Sequence, residues 1–184
     1  MSIRLADIAD IRTGIYGRPE PDGEVLYYQS KHFDRSGTLD SPLWPELKAD
    51  ETVTKHLLKQ GEILFAAKGD KNFGAVFSGT QPAVASPTFL VLNLKDSAIL
   101  PTFVAWYLNE PETLAFLRRN ALGSAMVSVP KSLLEELKIP VPPQHVQQNI
   151  VNAWLLSTQE HSLRLKIADL RETVVRQALA RSIK

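Results

Sequence analysis

The last quarter of the chain most narrows what this sequence can fold into. After Ile139-Pro140-Val141-Pro142-Pro143, residues 144–182 contain neither proline nor glycine. Proline pushes the residue before it out of helical backbone, so the run 139–143 is extended and a helix starts at Gln144. Within that helix Leu156, Leu163 and Leu170 recur every seven residues, interleaved with Ile167 and Val174. This spacing is a heptad seam sustained over about three repeats. At about 1.5 Å per residue, 39 residues reach roughly 58 Å, longer than a compact body of this size requires. Trp154, Leu155, Leu165, Val175 and Leu179 widen the apolar stripe, so packing against more than one neighbour is expected. The competing reading is a terminal helix folded back on its own domain. The pattern favours a helix that pairs with another chain. It divides the sequence into a body, residues 1–143, and a long dimerisation or spacer helix, residues 144–184. The body occurs once, with no internal repeat.

The body reads as strand-rich first and helical later. Leu5, Ile8 and Ile11 mark a short helix or the start of a strand, ending in the turn Thr13–Pro19. Val25–Gln29 is a strand followed by the polar loop Ser30–Gly37, and residues 46–60 are loop and short helix. Glu62–Ala67 is a compact buried strand. It runs through the glycine-bounded loop Lys68–Gly74 into an answering strand, Ala75–Ser78. Ala83–Ser86 and Thr88–Leu94 complete the strand-rich middle. Phe103, Val104, Trp106, Tyr107 and Leu108 then follow the helical period, and Pro111 opens a second helix through Leu117. A Gly123-Ser124 loop, a strand at Val127–Val129 and a helical turn at Ser132–Leu137 follow. The fold class expected is α/β: a mixed, mainly antiparallel sheet followed by a long coiled-coil-type C-terminal helix.

Charge gives no global sign of a partner, because 21 Lys and Arg stand against 20 Asp and Glu. The distribution is uneven. Residues 1–143 carry 15 basic and 17 acidic groups, and residues 144–184 carry 6 and 3. A nucleic-acid binder with this balance must use a local patch. The absence of cysteine excludes disulfides, thiolate nucleophiles and Cys-type zinc sites. No apolar segment of signal-peptide type opens the chain, and no stretch approaches the ~18 apolar residues of a membrane span, so a soluble cytoplasmic protein is expected.

Catalytic constellations are missing from the sequence. His32, His56, His145 and His161 lack i,i+4 spacing and a His-Glu-x-x-His context, so no metal site is expected. There is no glycine-rich phosphate loop and no Asn/Asp-Pro-Pro-Tyr/Phe tetrapeptide of the kind amino-methyltransferases carry. Gly69-Asp70-Lys71 lacks the second carboxylate a nuclease pair would need. No enzymatic activity and no cofactor are therefore expected of this chain.

Three segments together resemble the specificity subunits of type I restriction-modification enzymes. The opening Leu5-Ala6-Asp7-Ile8-Ala9-Asp10-Ile11-Arg12-Thr13-Gly14 is similar to the family's start. Gly61-Glu62-Ile63-Leu64-Phe65-Ala66-Ala67-Lys68-Gly69 resembles its glycine-acidic-isoleucine-leucine strand and following loop. Gly123–Ser128, then Leu133, Leu137, Ile139–Pro143, Gln147, Gln148 and Ile150, match the family's passage from domain into helix. The sequence departs from the pattern at Gln144 and Val146, where the family usually has leucine and glutamate. Typical members carry two recognition domains and two helices, whereas this sequence holds one of each and reads as a half-length form.

The resemblance implies sequence-specific recognition of double-stranded DNA by loops at strand ends. The candidate contacts are Tyr16 and Arg18 in the first turn; Gln29, Ser30, Lys31 and His32; Lys68, Lys71 and Asn72; and Ser124. Lys68 and Lys71 suit phosphate, and Gln29 and Asn72 suit bidentate base contacts. Leu156, Leu163, Ile167, Leu170 and Val174 are the dimerisation candidates. The implied partners are double-stranded DNA, a methyltransferase subunit, a restriction subunit where one exists, and a second copy of this chain. The homodimer would read a split inverted repeat. A helical adaptor that binds protein instead of DNA is the alternative, and the bases read are not legible from sequence.

Overall fold

The computed structural model describes residues 2–121 and 128–182. In chain order these form β1 (Ser2–Arg4), α1 (Leu5–Ile8), β2 (Ala9–Thr13), β3 (Val25–Tyr28), β4 (Pro45–Leu47), α2 (Glu51–Lys55) and β5 (Ile63–Ala66). Next come β6 (Gly74–Val76), β7 (Ala83–Ala85), β8 (Phe89–Leu94), α3 (Pro101–Asn109), α4 (Pro111–Arg119), α5 (Lys131–Glu135), β9 (Lys138–Pro140) and α6 (Gln144–Ser182).

The frame is an antiparallel sheet ordered β2-β8-β5-β6. Its two central strands are apolar on both faces, as a sheet covered on both sides requires. Leu90 and Leu92 of β8, with Ile63 and Phe65 of β5, face Phe103, Val104, Leu108, Leu117 and Leu134 of the helices. The alternate residues Phe89, Val91, Leu64 and Ala66 face Phe33, Phe73, Phe77 and Ala85. Side chains of successive strand residues point to opposite faces, so four residues of β8 serve two cores.

The second core is closed by a sheet ordered β4-β3-β7, in which β3 runs parallel to β7, Tyr28 opposite Ala85, and antiparallel to β4. Among the described strands this is the one parallel pairing, so the mixed, mainly antiparallel fold expected from sequence is observed. Two elements go beyond that expectation. The extended run before the long helix pairs as β9 with β1, Ile3 opposite Ile139, and β4 forms within the segment read as loop. The expected strand Val127–Val129 lies partly outside the described residues; Ser128 makes only an isolated bridge to Lys68.

Helix α6 begins at Gln144, and its first two turns belong to the body. Gln147 is buried: its Oε1 accepts from Leu100 N (2.9 Å), and its Nε2 donates to Ala98 O (3.1 Å) and Pro142 O (2.9 Å). Val151 is buried with it. Beyond Val151 the helix leaves the body, and Leu156, Leu163, Ile167, Leu170 and Val174 are each between 49% and 67% exposed. The chain does not cover its own seam. The alternative of a helix folded back on its own domain is thereby corrected, since a straight helix about 58 Å long outruns the body that anchors it. No helix among the described residues is long and apolar enough to cross a membrane.

Candidate nucleic-acid interface

Strand register brings the polar loops to one rim. Thr13 at the end of β2 lies opposite Leu90, Ala66 at the end of β5 opposite Phe89, and Tyr28 at the end of β3 opposite Ala85 at the end of β7. Four strand exits and the start of β8 therefore share one edge. Backbone bonds tie the loops that leave it: Gly14 N to Phe89 O (3.0 Å), Ile15 N to Ala85 O (2.8 Å), Ser86 N to Tyr28 O (2.8 Å) and Ala67 N to Thr88 O (2.8 Å). Gly14 permits this closeness, because a Cβ there would sit 2.2 Å from the Ser86 carbonyl oxygen.

The first loop presents Tyr16 and Arg18 outward, and Tyr16 is 82% exposed. Its base is pinned by Tyr27, whose hydroxyl donates to Ile15 O (3.0 Å) and accepts from Gly17 N (3.2 Å). Burial pushes the Tyr27 phenol up, keeping it a donor. An exposed aromatic on a pinned turn can stack or enter a groove with little ordering cost.

Gln29, Ser30, Lys31 and His32 form a single 3-10 turn at the exit of β3. Lys31 projects outward, while Gln29, Ser30 and His32 are half-buried. The imidazole serves the turn: His32 Nδ1 accepts from Gln29 N at 3.3 Å. Burial, with the charge of Lys31 beside it, lowers the His32 pKa below 6.5. The neutral ring is thus the form that fits.

The third loop divides its candidates. Lys68 is exposed, and Gly69 follows it at φ +112°, a backbone conformation that admits little but glycine. Lys71 is half-buried, and its ammonium donates to Phe33 O (2.9 Å), so this loop and the β3 exit meet. Asn72 departs from the surface position expected of it. It is 3% exposed, its Nδ2 donating to Ala66 O (3.0 Å) and its Oδ1 accepting from Arg118 Nε (3.2 Å). Both ends of its amide are spent inside the protein. Asn72 shapes the loop; a bidentate base contact would require breaking both bonds. Ser124 lies outside the described residues, although Val129 N donates to Ala67 O (2.8 Å) and Ser128 bridges Lys68.

Two features of the rim escaped the sequence reading. Arg118, at the end of α4, is held at the third loop by Asn72. The adjacent basic pair Arg118-Arg119, directly before a glycine-containing loop, was the available signal. Ser86 and Thr88 share a hydroxyl bond of 2.6 Å between β7 and β8, where sequence showed only a break between strands. The rim thus gathers Arg18, Lys31, Lys68, Lys71 and Arg118 from four segments, in a body that is acidic overall. The acidic residue of the second motif is not at the rim. Glu62 is buried and takes a two-pronged bond from Arg12 (3.0 and 2.9 Å), joining the first motif to the second.

The family profile described as the type I restriction modification DNA specificity domain matches residues 1–154, most of the chain. The chain belongs to that family. Solved structures agree on the fold. The S subunit of a type I restriction-modification system from M. genitalium superposes with a TM-score of 0.59 at 17% identity, over 86% of this chain and 39% of that one. The HsdS subunit from Thermoanaerobacter tengcongensis gives 0.57 at 19%, over 91% and 39%. A chain from a study of complex assembly and conformational transition of the type I R-M system gives 0.58 at 22%, over 91% and 40%. The chain therefore spans about two fifths of the length of these matched chains. Among curated proteins none matches. In this chain the opening motif is α1, β2 and the glycine that follows, the second is β5 and its loop, and the third, where it falls on described residues, runs through α5 and β9 into α6.

Proposed function

We propose that this chain recognises a DNA sequence through the loop rim and serves as a specificity subunit for a partner methyltransferase. The observation that carries the reading is the convergence of three separately expected loops on one edge of a specificity-domain fold, bringing Arg18, Lys31, Lys68 and Lys71 together with Arg118 from the end of α4. Residues 1–143 act as the recognition unit and residues 144–184 as the spacer helix. Exposed Lys68, Lys31 and Arg18 take phosphate, Tyr16 enters a groove, and Gln29 and Ser30 offer donors and acceptors to base edges. Methyl transfer and cleavage fall to partner subunits, which bring their own cofactors, in the cytoplasm where the DNA lies. The uncovered seam of α6 joins two copies, so that the dimer reads two half-sites.

The test is binding to labelled duplexes across a salt series. Affinity should fall linearly with log salt, with a slope set by the phosphates neutralised. A target selected from random duplexes should outcompete bulk DNA. An adaptor for protein partners would show neither effect.

A further inference from the structure

Between the Ser30–His32 turn and β4 the chain makes a further loop, residues 33–44, whose most exposed aromatic has no task inside the protein. Trp44 is 77% exposed, exceeded among the large apolar side chains of the described residues only by Tyr16. The aromatic contacts of the second core join Tyr28, Phe33, Phe73, Phe77 and Phe89 and leave Trp44 out.

The backbone accounts for this exposure. Leu43 packs on the second core, and Pro45 begins β4 opposite Leu26 of β3. Trp44 is held between these two anchors, and the proline after it restricts it to extended backbone. Successive side chains of an extended run point to opposite sides, so packing Leu43 inward turns Trp44 outward. Because β4 runs antiparallel to β3, the chain just before Pro45 lies toward Tyr28, the rim end of β3. Asp40 N donates to His32 O (3.0 Å), tying the loop to the turn that carries Lys31. Glu20 N donates to Glu46 O (2.7 Å), and Glu24 N to Leu47 O (2.8 Å), which fastens the loop of Tyr16 and Arg18 along β4. Trp44 is thus rigidly mounted on a loop stitched to two of the three loops of the rim.

The chemistry of the loop says which part of a duplex it suits. From Ser36 to Leu47 there is no Lys or Arg, while Asp40 and Glu46 are acidic, so this stretch is not made for phosphate. Base edges are different: carboxylates accept from cytosine, and apolar side chains pack on the thymine methyl. An indole fixed on a pinned backbone offers a large apolar surface at low ordering cost.

We propose that Trp44 is a specificity-determining residue whose indole packs on base surface in the groove while the cations of the rim hold the phosphates. The proposal rests on the DNA-recognition reading above and adds the loop 33–44 to the interface, contributing selectivity by apolar contact.

The parent chain, Trp44→Ala and Trp44→Phe would each be titrated with the selected target and with random-sequence duplex across a salt series. Trp44→Ala should keep its denaturation midpoint and lose roughly tenfold in affinity for the target, as for loss of one aromatic–base contact. Random duplex should bind it nearly as before, and the salt slope should not change, because no phosphate contact is removed. Trp44→Phe should keep most of the affinity. Saturating the parent with target should quench indole emission, and Trp44→Phe, which retains Trp106 and Trp154, should lose that quench. Unchanged target affinity, an equal loss for all sequences, or a flattened salt slope would overturn the assignment of Trp44 and leave DNA recognition standing. So would a Trp44→Ala variant that binds DNA normally and fails only to capture the methyltransferase subunit. A parent chain that binds no duplex would overturn both.

Discussion

Single residues show where chemistry was legible and where burial overruled it. Asn72 has the right side chain for an adenine and sits in a polar, glycine-bounded loop, so sequence places it at the DNA. The fold instead closes its amide between Ala66 O and Arg118. Asn72→Ala should therefore strand a buried carbonyl and lower stability by about 1–3 kcal/mol. It should also weaken binding to all duplexes alike, because Arg118 loses its tether. Lys68→Ala should leave the denaturation midpoint unchanged and flatten the salt slope by about one unit. Relaxed preference at one base pair in Asn72→Ala, with stability intact, would return Asn72 to the base-reading set. His32 makes a second test. Its folded pKa lies below 6.5, so across that window the unfolded chain binds more protons and stability rises with pH. Falling pH should protonate Nδ1, remove the acceptor for Gln29 N and loosen the turn that carries Lys31. A histidine titration by NMR should place His32 below 6.5, with turn amides exchanging faster in step. A value at or above 6.5 would put the ring in water.

At the scale of elements, sequence was reliable where one periodicity acted alone. The strand β5, its glycine loop and β6 were readable because alternation, a turn and a second run follow one another without competition. The long helix was readable because nothing in it breaks a helix. By contrast β4 is three residues beginning at Pro45, and β1 and β9 are three residues each. Strands that short carry no measurable period; they exist because distant partners supply the hydrogen bonds. The anchoring of α6 was half legible. Gln147 was noted as part of a motif, but its three bonds depend on residues 47 to 49 positions earlier as well as on nearby Pro142. Those bonds, together with the buried Val151, weld the first turns of the helix to the body at the N-terminus of α3. Gln147→Ala should cost about 1–3 kcal/mol for each group it strands. Urea denaturation should show a lower midpoint at an unchanged m value. Gln148→Ala, one residue on and exposed, should stay within about 0.5 kcal/mol of the parent.

For the whole molecule the governing fact is that one body anchors a helix it cannot cover. Leu156, Leu163, Ile167, Leu170 and Val174 stand half exposed or more along a stretch that starts where the body ends, Ile167 at 49% being the least exposed. Full burial of each large apolar side chain is worth roughly 1.5–3 kcal/mol, which favours association strongly once two seams meet. In the proposed homodimer a two-fold axis across antiparallel helices would make the interface self-complementary and carry the two rims apart by a fixed distance. Such a dimer would read DNA with two-fold symmetry, with an untouched spacer between half-sites. Replacing Leu163 and Leu170 by Glu should give monomers by light scattering, because four carboxylates per dimer would enter the seam. The variant should keep its affinity for an isolated half-site and lose the avidity for a full site that linkage provides. Changing the spacer by half a helical turn should abolish the avidity of the parent protein and leave the variant indifferent. A parent chain that stays monomeric at tens of micromolar, a dimer weaker than about −6 to −7 kcal/mol, would remove the homodimer and point to a partner subunit's helix as the cover for the seam.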